Sequence, residues 1–103
     1  MDMMEKLSLA GLVPVIKVED AADAVPLCRA LSKGGLPVAE ITFRTQAAAS
    51  IIKAASERFP ELYLGAGTIL NVADLKRAFD SGAKFAVAPG FNPTVVRAAV
   101  ESH

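Results

Sequence analysis

The chain has 103 residues, 52% of them hydrophobic, with 11 basic and 11 acidic side chains and a formal net charge of zero. This composition is too apolar for a disordered chain, and zero net charge gives no electrostatic case for a nucleic acid or membrane partner. A single cysteine excludes an internal disulfide framework. The polar start, Met1 to Lys6, lacks a signal-peptide pattern, so one small domain in a reducing cytoplasm is expected.

Hydrophobic periodicity predicts four strands, each followed by a helix. The strands are predicted over residues 13–18, 38–43, 62–64 and 85–88. The helices are predicted to begin at the capping residues Asp20, Thr45, Asn71 and Asn92. Pro26 would lie beyond the first turn of a helix capped by Asp20, so it should kink that helix or delay its start.

The strand starts are about 25 residues apart, which gives a βαβαβαβα order without a linker. Alternating units of this kind build a parallel sheet, either an open doubly wound sheet or a closed (β/α)8 barrel. A barrel needs about 200 residues or more. The expected fold is therefore a small open α/β sheet or half of a (β/α)8 barrel. The last helical pattern runs on to His103 without a stop signal, which favours a piece of a longer protein.

Polar residues gather where the predicted strands end, at the edge where parallel α/β folds bind ligands. They are Lys17, Glu40, Thr42 and Arg44, the segment Gly65-Ala66-Gly67-Thr68, and Pro89-Gly90. Glu40, Thr42 and Arg44 share one parity, so they should face away from Ile41 and Phe43. In a barrel, Ile41 and Phe43 would pack on helices and Glu40 would project inside.

Glu40 is a charged residue within an apolar strand, which is costly unless the charge is paired or solvated. It is either a structural carboxylate satisfied by Lys17 or Arg44, or a group with a tuned pKa that transfers protons. Arg44 is either a two-pronged donor for a carboxylate or phosphate, or a solvated charge. Leu70 breaks the dinucleotide fingerprint, so the two glycines before Thr68 are interpreted as letting the backbone approach a ligand.

Taken together, these segments resemble the N-terminal half of the aldolases for 2-keto-3-deoxy-6-phosphogluconate (KDPG) and 4-hydroxy-2-oxoglutarate (KHG). The resemblance covers essentially all 103 residues. It rests on Val13-Pro14-Val15-Ile16, Ala24-Val25-Pro26-Leu27-Cys28-Arg29-Ala30-Leu31, Ala39-Glu40-Ile41-Thr42-Phe43-Arg44-Thr45, Gly65-Ala66-Gly67-Thr68-Ile69-Leu70-Asn71 and Ala88-Pro89-Gly90.

The resemblance implies a (β/α)8 barrel and a homotrimer. It also implies a reaction without metal or other cofactor: reversible cleavage of a keto acid, through a lysine Schiff base, to pyruvate and glyceraldehyde 3-phosphate or glyoxylate. The family's general acid/base glutamate falls on Glu40, and the arginine that holds the pyruvyl carboxylate falls on Arg44. The threonine beside that carboxylate falls on Thr68, and the pocket proline falls on Pro89. Lys17 is carried over only as a candidate anion contact.

One departure from the family pattern concerns the nucleophile. The family's Schiff-base lysine lies on the sixth strand, and none of the six lysines of this chain matches it. Residues 1–103 are thus expected to form the N-terminal half of a barrel domain and to be inactive alone. Two alternatives stay open: a non-catalytic half-barrel that persists by self-assembly, and an open-sheet module that binds a small carboxylate.

Overall fold

The structure, a computed structural model, describes residues 1–102; His103, where the last predicted helix was expected to end, lies outside the described residues. The strands are β1 (Val15–Ile16), β2 (Val38–Thr42), β3 (Tyr63–Gly67) and β4 (Phe85–Ala86). The helices are α1 (Met3–Ala10), α2 (Ala24–Lys33), α3 (Ala48–Arg58), α4 (Val72–Ser81) and α5 (Pro93–Glu101), with a 3-10 turn over Ala21–Asp23. Within this range the strands form one parallel sheet in the order β1-β2-β3-β4. The predicted α/β fold of four consecutive βα units is confirmed.

The central strands are longer than the edge strands. β2 and β3 pair along five residues each, whereas β1 and β4 contribute two residues each to their ladders. The prediction of β3 over 62–64 was too short, because Gly65 and Gly67 belong to the strand. The predictions of β1 over 13–18 and β4 over 85–88 were too long, because only two residues of each form ladder pairs.

The main core lies on one face of the sheet, where the helices pack. Ile41 and Ala66 from the strands are buried there against Ile51, Ile52 and Leu75 from α3 and α4. Phe43 is partly buried against the same cluster. The predicted helix-facing side of β2 is therefore confirmed, and strand alternation places Glu40 and Thr42 on the other face.

The helix starts follow the predicted caps at two of four places. Asn71 accepts a hydrogen bond from the Asp74 amide at 2.7 Å, and Asn92 accepts from the Thr94 amide at 3.0 Å. Asp20 caps the 3-10 turn instead of α2. Because α2 begins only at Ala24, Pro26 is its third residue and falls in the first turn, which confirms the delayed start.

The prediction that Thr45 caps the second helix is wrong. The residue before α3 is Ala47, and its side chain makes no cap hydrogen bond. The Thr45 hydroxyl donates instead to the Val18 carbonyl oxygen at 3.0 Å, which links the segment after β2 to the segment after β1. The Thr45 hydroxyl thus binds an acceptor that is distant in sequence and does not cap α3.

Helix α1 was also not predicted. Asp2 caps it by accepting from the Glu5 amide at 2.9 Å, and Gly11 ends it in a left-handed conformation. Its apolar residues Met3, Leu7 and Ala10 follow helical spacing, but none of its residues is buried. Across residues 1–102, no helix has the length and apolar character needed to cross a membrane.

Candidate active site at the carboxyl edge of the sheet

The face of the sheet opposite the helices carries the polar residues of β2. Glu40 lies in register with Val15 on one side and with Gly65 on the other, and Thr42 lies in register with Gly67. We call this surface the inner face. Lys17 follows β1 directly, and because Val18 beside it is buried in the helix-side core, alternation places Lys17 on the inner face.

Glu40 is only 8% exposed although it is charged. Its carboxylate lies directly over Gly67, where any added Cβ would collide with it. Since Glu40 is in register with Gly65, the side chain leans two residues towards the carboxyl end of the sheet. The carboxylate thus reaches the row of Thr42 and Gly67.

A different side chain covers Gly65, the other glycine of β3. The ring of Phe85 covers Gly65 and stacks on Tyr63 with 5.5 Å between ring centroids. The two glycines of β3 therefore accommodate two side chains of the inner face, an aromatic ring at Gly65 and a carboxylate at Gly67. The sequence pointed to a close approach at these glycines, but it assigned that approach to a ligand.

Burial raises the pKa of Glu40 above its ordinary value of 4.5, and the positive charge of Arg44 acts in the opposite direction. Neither Lys17 nor Arg44 makes an ion pair with Glu40 within 4.0 Å in the described part of the chain. Lys17 pairs with Glu19 at 3.4 Å instead. The alternative of a structurally paired Glu40 thus finds no support in this geometry.

The sequence places Thr42 among the polar residues at the strand ends, but the resemblance to the family assigns it no role. Thr42 is 2% exposed, and its hydroxyl oxygen is buried without a hydrogen-bond partner among residues 1–102. The shared parity of Glu40, Thr42 and Arg44 was the signal in the sequence that could have identified it. Arg44, two residues further, is exposed at the end of β2.

Thr68 follows Gly67 with a φ of 57°, an uncommon value for a β-branched residue. Two backbone hydrogen bonds fix its neighbours: the Phe43 amide donates to the Gly67 carbonyl at 2.8 Å, and the Ile69 amide donates to the Val87 carbonyl at 3.1 Å. The turn is therefore held from both sides while the Thr68 side chain stays half-buried.

Pro89 lies beyond β4 on the same edge of the sheet and is exposed. It lines a shallow cavity of about 240 Å³ with Leu70 and Phe91, and this cavity does not include Glu40. The structure thus brings Glu40 and Thr42 together over Gly67, and it leaves Arg44 and Pro89 on the open rim.

A second cavity, of about 580 Å³, lies at the opposite edge of the sheet, between α1 and the amino ends of β2 and β3. Lys6 and Tyr63 line it, with the Lys6 ammonium 4.5 Å from the centre of the Tyr63 ring. Parallel α/β folds bind ligands at the carboxyl edge, so we place the candidate site at Glu40. No group of three or more His, Cys, Asp or Glu side chains in residues 1–102 could hold a metal ion.

Comparison with known proteins gives a consistent result. A family model described as "Aldolase: KDPG and KHG aldolase" matches residues 3–103. The 2-dehydro-3-deoxy-phosphogluconate aldolase of Treponema pallidum is 46% identical over 94 residues, which cover 91% of this chain and 45% of that protein. The chain thus spans about half the length of the curated relatives that it matches.

Solved structures agree in fold. The crystal structure of 2-keto-3-deoxy-6-phosphogluconate aldolase from Zymomonas mobilis matches with a TM-score of 0.91 and 40% identity, covering 99% of this chain and 49% of that one. The KDPG aldolase of Legionella pneumophila, solved with pyruvate captured as a covalent carbinolamine, matches with a TM-score of 0.84 and 34% identity over 88% of this chain and 44% of that one. The predicted half of a (β/α)8 barrel is consistent with both.

Proposed function

Because the chain belongs to the KDPG and KHG aldolase family, we propose that it supplies the proton-transfer and carboxylate-binding half of a Schiff-base aldolase. The reaction is reversible cleavage of KDPG to pyruvate and glyceraldehyde 3-phosphate, or of 4-hydroxy-2-oxoglutarate to pyruvate and glyoxylate. The observation that carries the proposal is the buried carboxylate of Glu40, which lies at the ligand-binding edge of the sheet without an ion pair within 4.0 Å in residues 1–102.

Glu40 is proposed as the general acid and base. A carboxyl group is effective in both roles when its pKa lies closer to neutral pH than usual, and burial moves the pKa of Glu40 in that direction. An amine attacks the keto carbon, and protons must reach the departing oxygen and leave the attacking nitrogen. We expect that amine outside residues 1–103, since none of the chain's lysines matches the family's nucleophile.

The substrate carboxylate is assigned to Arg44 and Thr68. The Arg44 guanidinium is exposed at the end of β2, where a planar carboxylate can accept two hydrogen bonds from it. Thr68 stands on the neighbouring strand's end, with its hydroxyl as a further donor. Pro89 is proposed to line the pocket, and Lys17 to contact an anionic group of the substrate.

The proposed reaction calls on no metal or other cofactor, because a protonated imine itself accepts the electrons of the broken C–C bond. A homotrimer in the cytoplasm, binding a small keto acid and neither nucleic acid nor membrane, stays a prediction. The chain alone is predicted to be inactive.

The proposal is tested in a hybrid chain, in which residues 1–103 are continued by the C-terminal half of the Zymomonas mobilis aldolase. Glu40→Gln should lower the kcat of KDPG cleavage by about 10²–10⁴-fold, the usual contribution of general acid–base catalysis. Glu57→Gln, on the exposed side of α3, is the matched control and should leave kcat unchanged. Arg44→Lys should raise KM, because a point charge replaces a two-pronged donor.

Equal kcat values for the Glu40→Gln and unsubstituted hybrids would remove Glu40 from the mechanism. Unaltered kinetics in Arg44→Lys would leave Arg44 as a solvated charge. Circular dichroism of each variant separates a loss of catalysis from a loss of folding.

A further inference from the structure

Arg44 lies in the turn of residues 43–47, which joins β2 to α3. Its side chain is exposed, and within residues 1–102 it forms no ion pair within 4.0 Å and no hydrogen bond. Ordering a long side chain on a ligand costs conformational entropy, and a mobile turn beneath it would add to that cost. The strength with which Arg44 holds a carboxylate therefore depends on how firmly its backbone is fixed.

The residues on both sides of Arg44 are anchored to other parts of the fold. The Phe43 amide donates to the Gly67 carbonyl at 2.8 Å, and the Phe43 ring packs against the helix-side core. On the other side, the Thr45 hydroxyl donates to the Val18 carbonyl at 3.0 Å. The turn is thus attached to β3, to the core and to the segment after β1, while the Arg44 side chain itself stays exposed.

The hydrogen bond from Thr45 lies beyond the end of the β1–β2 ladder. Within residues 1–102 this ladder contains two residue pairs, so few backbone contacts hold the carboxyl ends of these strands together. Val18 directly follows Lys17, as Thr45 directly follows Arg44. The hydroxyl therefore joins the two segments that carry the cations proposed to contact the substrate.

We propose that Thr45 is a positioning residue for Arg44. By binding the Val18 carbonyl, the Thr45 hydroxyl fixes the turn from which the Arg44 guanidinium reaches the carboxylate of a 2-keto acid. Thr45 does not touch the substrate, so loss of its hydroxyl should weaken binding of the carboxylate and leave the chemical step intact. This inference rests on the proposed function and adds Thr45 to it.

Ser56 provides a matched hydroxyl at a distance from this turn. It is partly buried like Thr45, and its hydroxyl is shared between the Lys53 carbonyl at 3.0 Å and the Ser81 carbonyl at 3.3 Å, at the end of α4. Ser56 lies near the carboxyl end of α3, whereas the turn of Arg44 precedes the amino end. Loss of either hydroxyl should lower stability, but only the loss at Thr45 should weaken substrate binding.

The first measurement compares the KM for KDPG of the hybrid chain with those of its Thr45→Val and Ser56→Ala variants. Thr45→Val should raise KM by about 2–10-fold, the range that one net hydrogen bond accounts for, with kcat little changed. Thr45→Ser keeps the hydroxyl and should restore the original KM, and Ser56→Ala should leave KM unchanged. Partial unfolding would lower the apparent kcat and not KM, so KM separates positioning from stability.

A double-mutant cycle tests whether Thr45 acts through Arg44. Arg44→Ala removes the guanidinium and should raise KM by itself. In the Arg44→Ala background, Thr45→Val should cause little further rise in KM, because no guanidinium is left to position. Independent roles of the two residues would instead multiply the two increases in KM.

An unchanged KM in Thr45→Val would overturn the inference, as would an equal rise in KM with and without Arg44, or a KM of Thr45→Ser raised as far as that of Thr45→Val. If circular dichroism shows that Thr45→Val does not fold, Thr45→Ala compared with Thr45→Ser tests the same hydroxyl without a methyl group in its place. An unaltered KM in Arg44→Ala would reject the role of Arg44 in the proposed function. A raised KM in Arg44→Ala with an unchanged KM in Thr45→Val would reject the positioning role alone.

Discussion

Burial raises the pKa of Glu40, so the ionised side chain is held on β2 at a cost in folding free energy. A carboxyl whose pKa is higher in the folded than in the unfolded state binds more protons when folded. Its contribution to stability is therefore fully present below the unfolded pKa and is lost as the pH rises through the folded pKa. This makes the Glu40 position sensitive to pH.

We predict that Glu40→Gln raises the free energy of unfolding relative to the unsubstituted chain at pH 7. The difference should shrink as the pH falls through the raised pKa, and it should be small below pH 4.5, where both side chains are neutral. Urea denaturation at both pH values measures it. A Glu40→Gln variant that is less stable at pH 7 would indicate that the carboxylate has a stabilising partner.

Gly67 and Gly65 allow a second prediction at the scale of single residues. In Gly67→Ala the new Cβ would occupy the place of the Glu40 carboxylate, the mobile end of a flexible side chain. The carboxylate should move towards water, and its pKa should return towards the ordinary value with little loss of stability. In Gly65→Ala the Cβ would meet the Phe85 ring, so the main effect should be destabilisation.

NMR titration of the Glu40 carboxyl carbon measures the pKa, and urea denaturation measures the stability, of the two alanine variants. If Gly67→Ala left the pKa of Glu40 raised, the carboxylate would not depend on the space above Gly67. Contacts other than the space above Gly67 would then have to bury the carboxylate.

At the scale of the helices and strands, local signals were sufficient where the partners are close in sequence. The caps at Asn71 and Asn92 follow from side chains two or three residues away from the amides they bind. The cap at Thr45 failed because its hydroxyl found an acceptor 27 residues earlier, which no local pattern contains. Helix α1 was missed although Asp2 offers it a local cap, three residues before the amide of Glu5.

In the candidate site, too, the sequence predicted the local features and missed those that depend on distant residues. Strand alternation predicted that Glu40 and Thr42 face away from the helices, because parity is a local property of a strand. The contact between the carboxylate and Gly67 depends on the register of β2 against β3, which pairs residues 25 apart and was not accessible from the sequence pattern. The roles of Arg44, Thr68, Pro89 and Lys17 depend on the resemblance to the family and stay predictions.

The cap of α4 gives a prediction at this scale. Asn71→Ala should lower the free energy of unfolding by about 1 kcal/mol, because the Asp74 amide loses its acceptor. Asn71→Ser keeps a capping oxygen and should lie within a few tenths of a kcal/mol of the unsubstituted chain. Thermal or urea denaturation of the two variants measures the difference; equal losses would show that the cap oxygen does not contribute.

At the scale of the whole molecule, the sheet has two uncovered edges within the described residues. β1 pairs only with β2, and β4 pairs only with β3. The inner face near these edges exposes Val15 and Val87. Unpaired strand edges next to an apolar surface are sites at which a second chain adds.

We therefore predict that the 103-residue chain associates through these edges, and the simplest closed arrangement pairs two copies with their edges matched. Sedimentation at low micromolar concentration, together with circular dichroism, should show folded oligomers. A cooperative, well-folded monomer would contradict this prediction and would favour the open-sheet module that binds a small carboxylate.

The assignment of the proton-transfer half of the site to this chain, and of the amine to residues outside it, is tested most directly by trapping. Pyruvate and borohydride are added to the 103-residue chain and to the hybrid chain, and intact mass and peptide mapping locate any reduced adduct. We predict one pyruvyl group on the hybrid, at a lysine beyond residue 103, and none on the 103-residue chain. A stable pyruvyl adduct on Lys17, or on any other lysine of residues 1–103, would contradict the assignment.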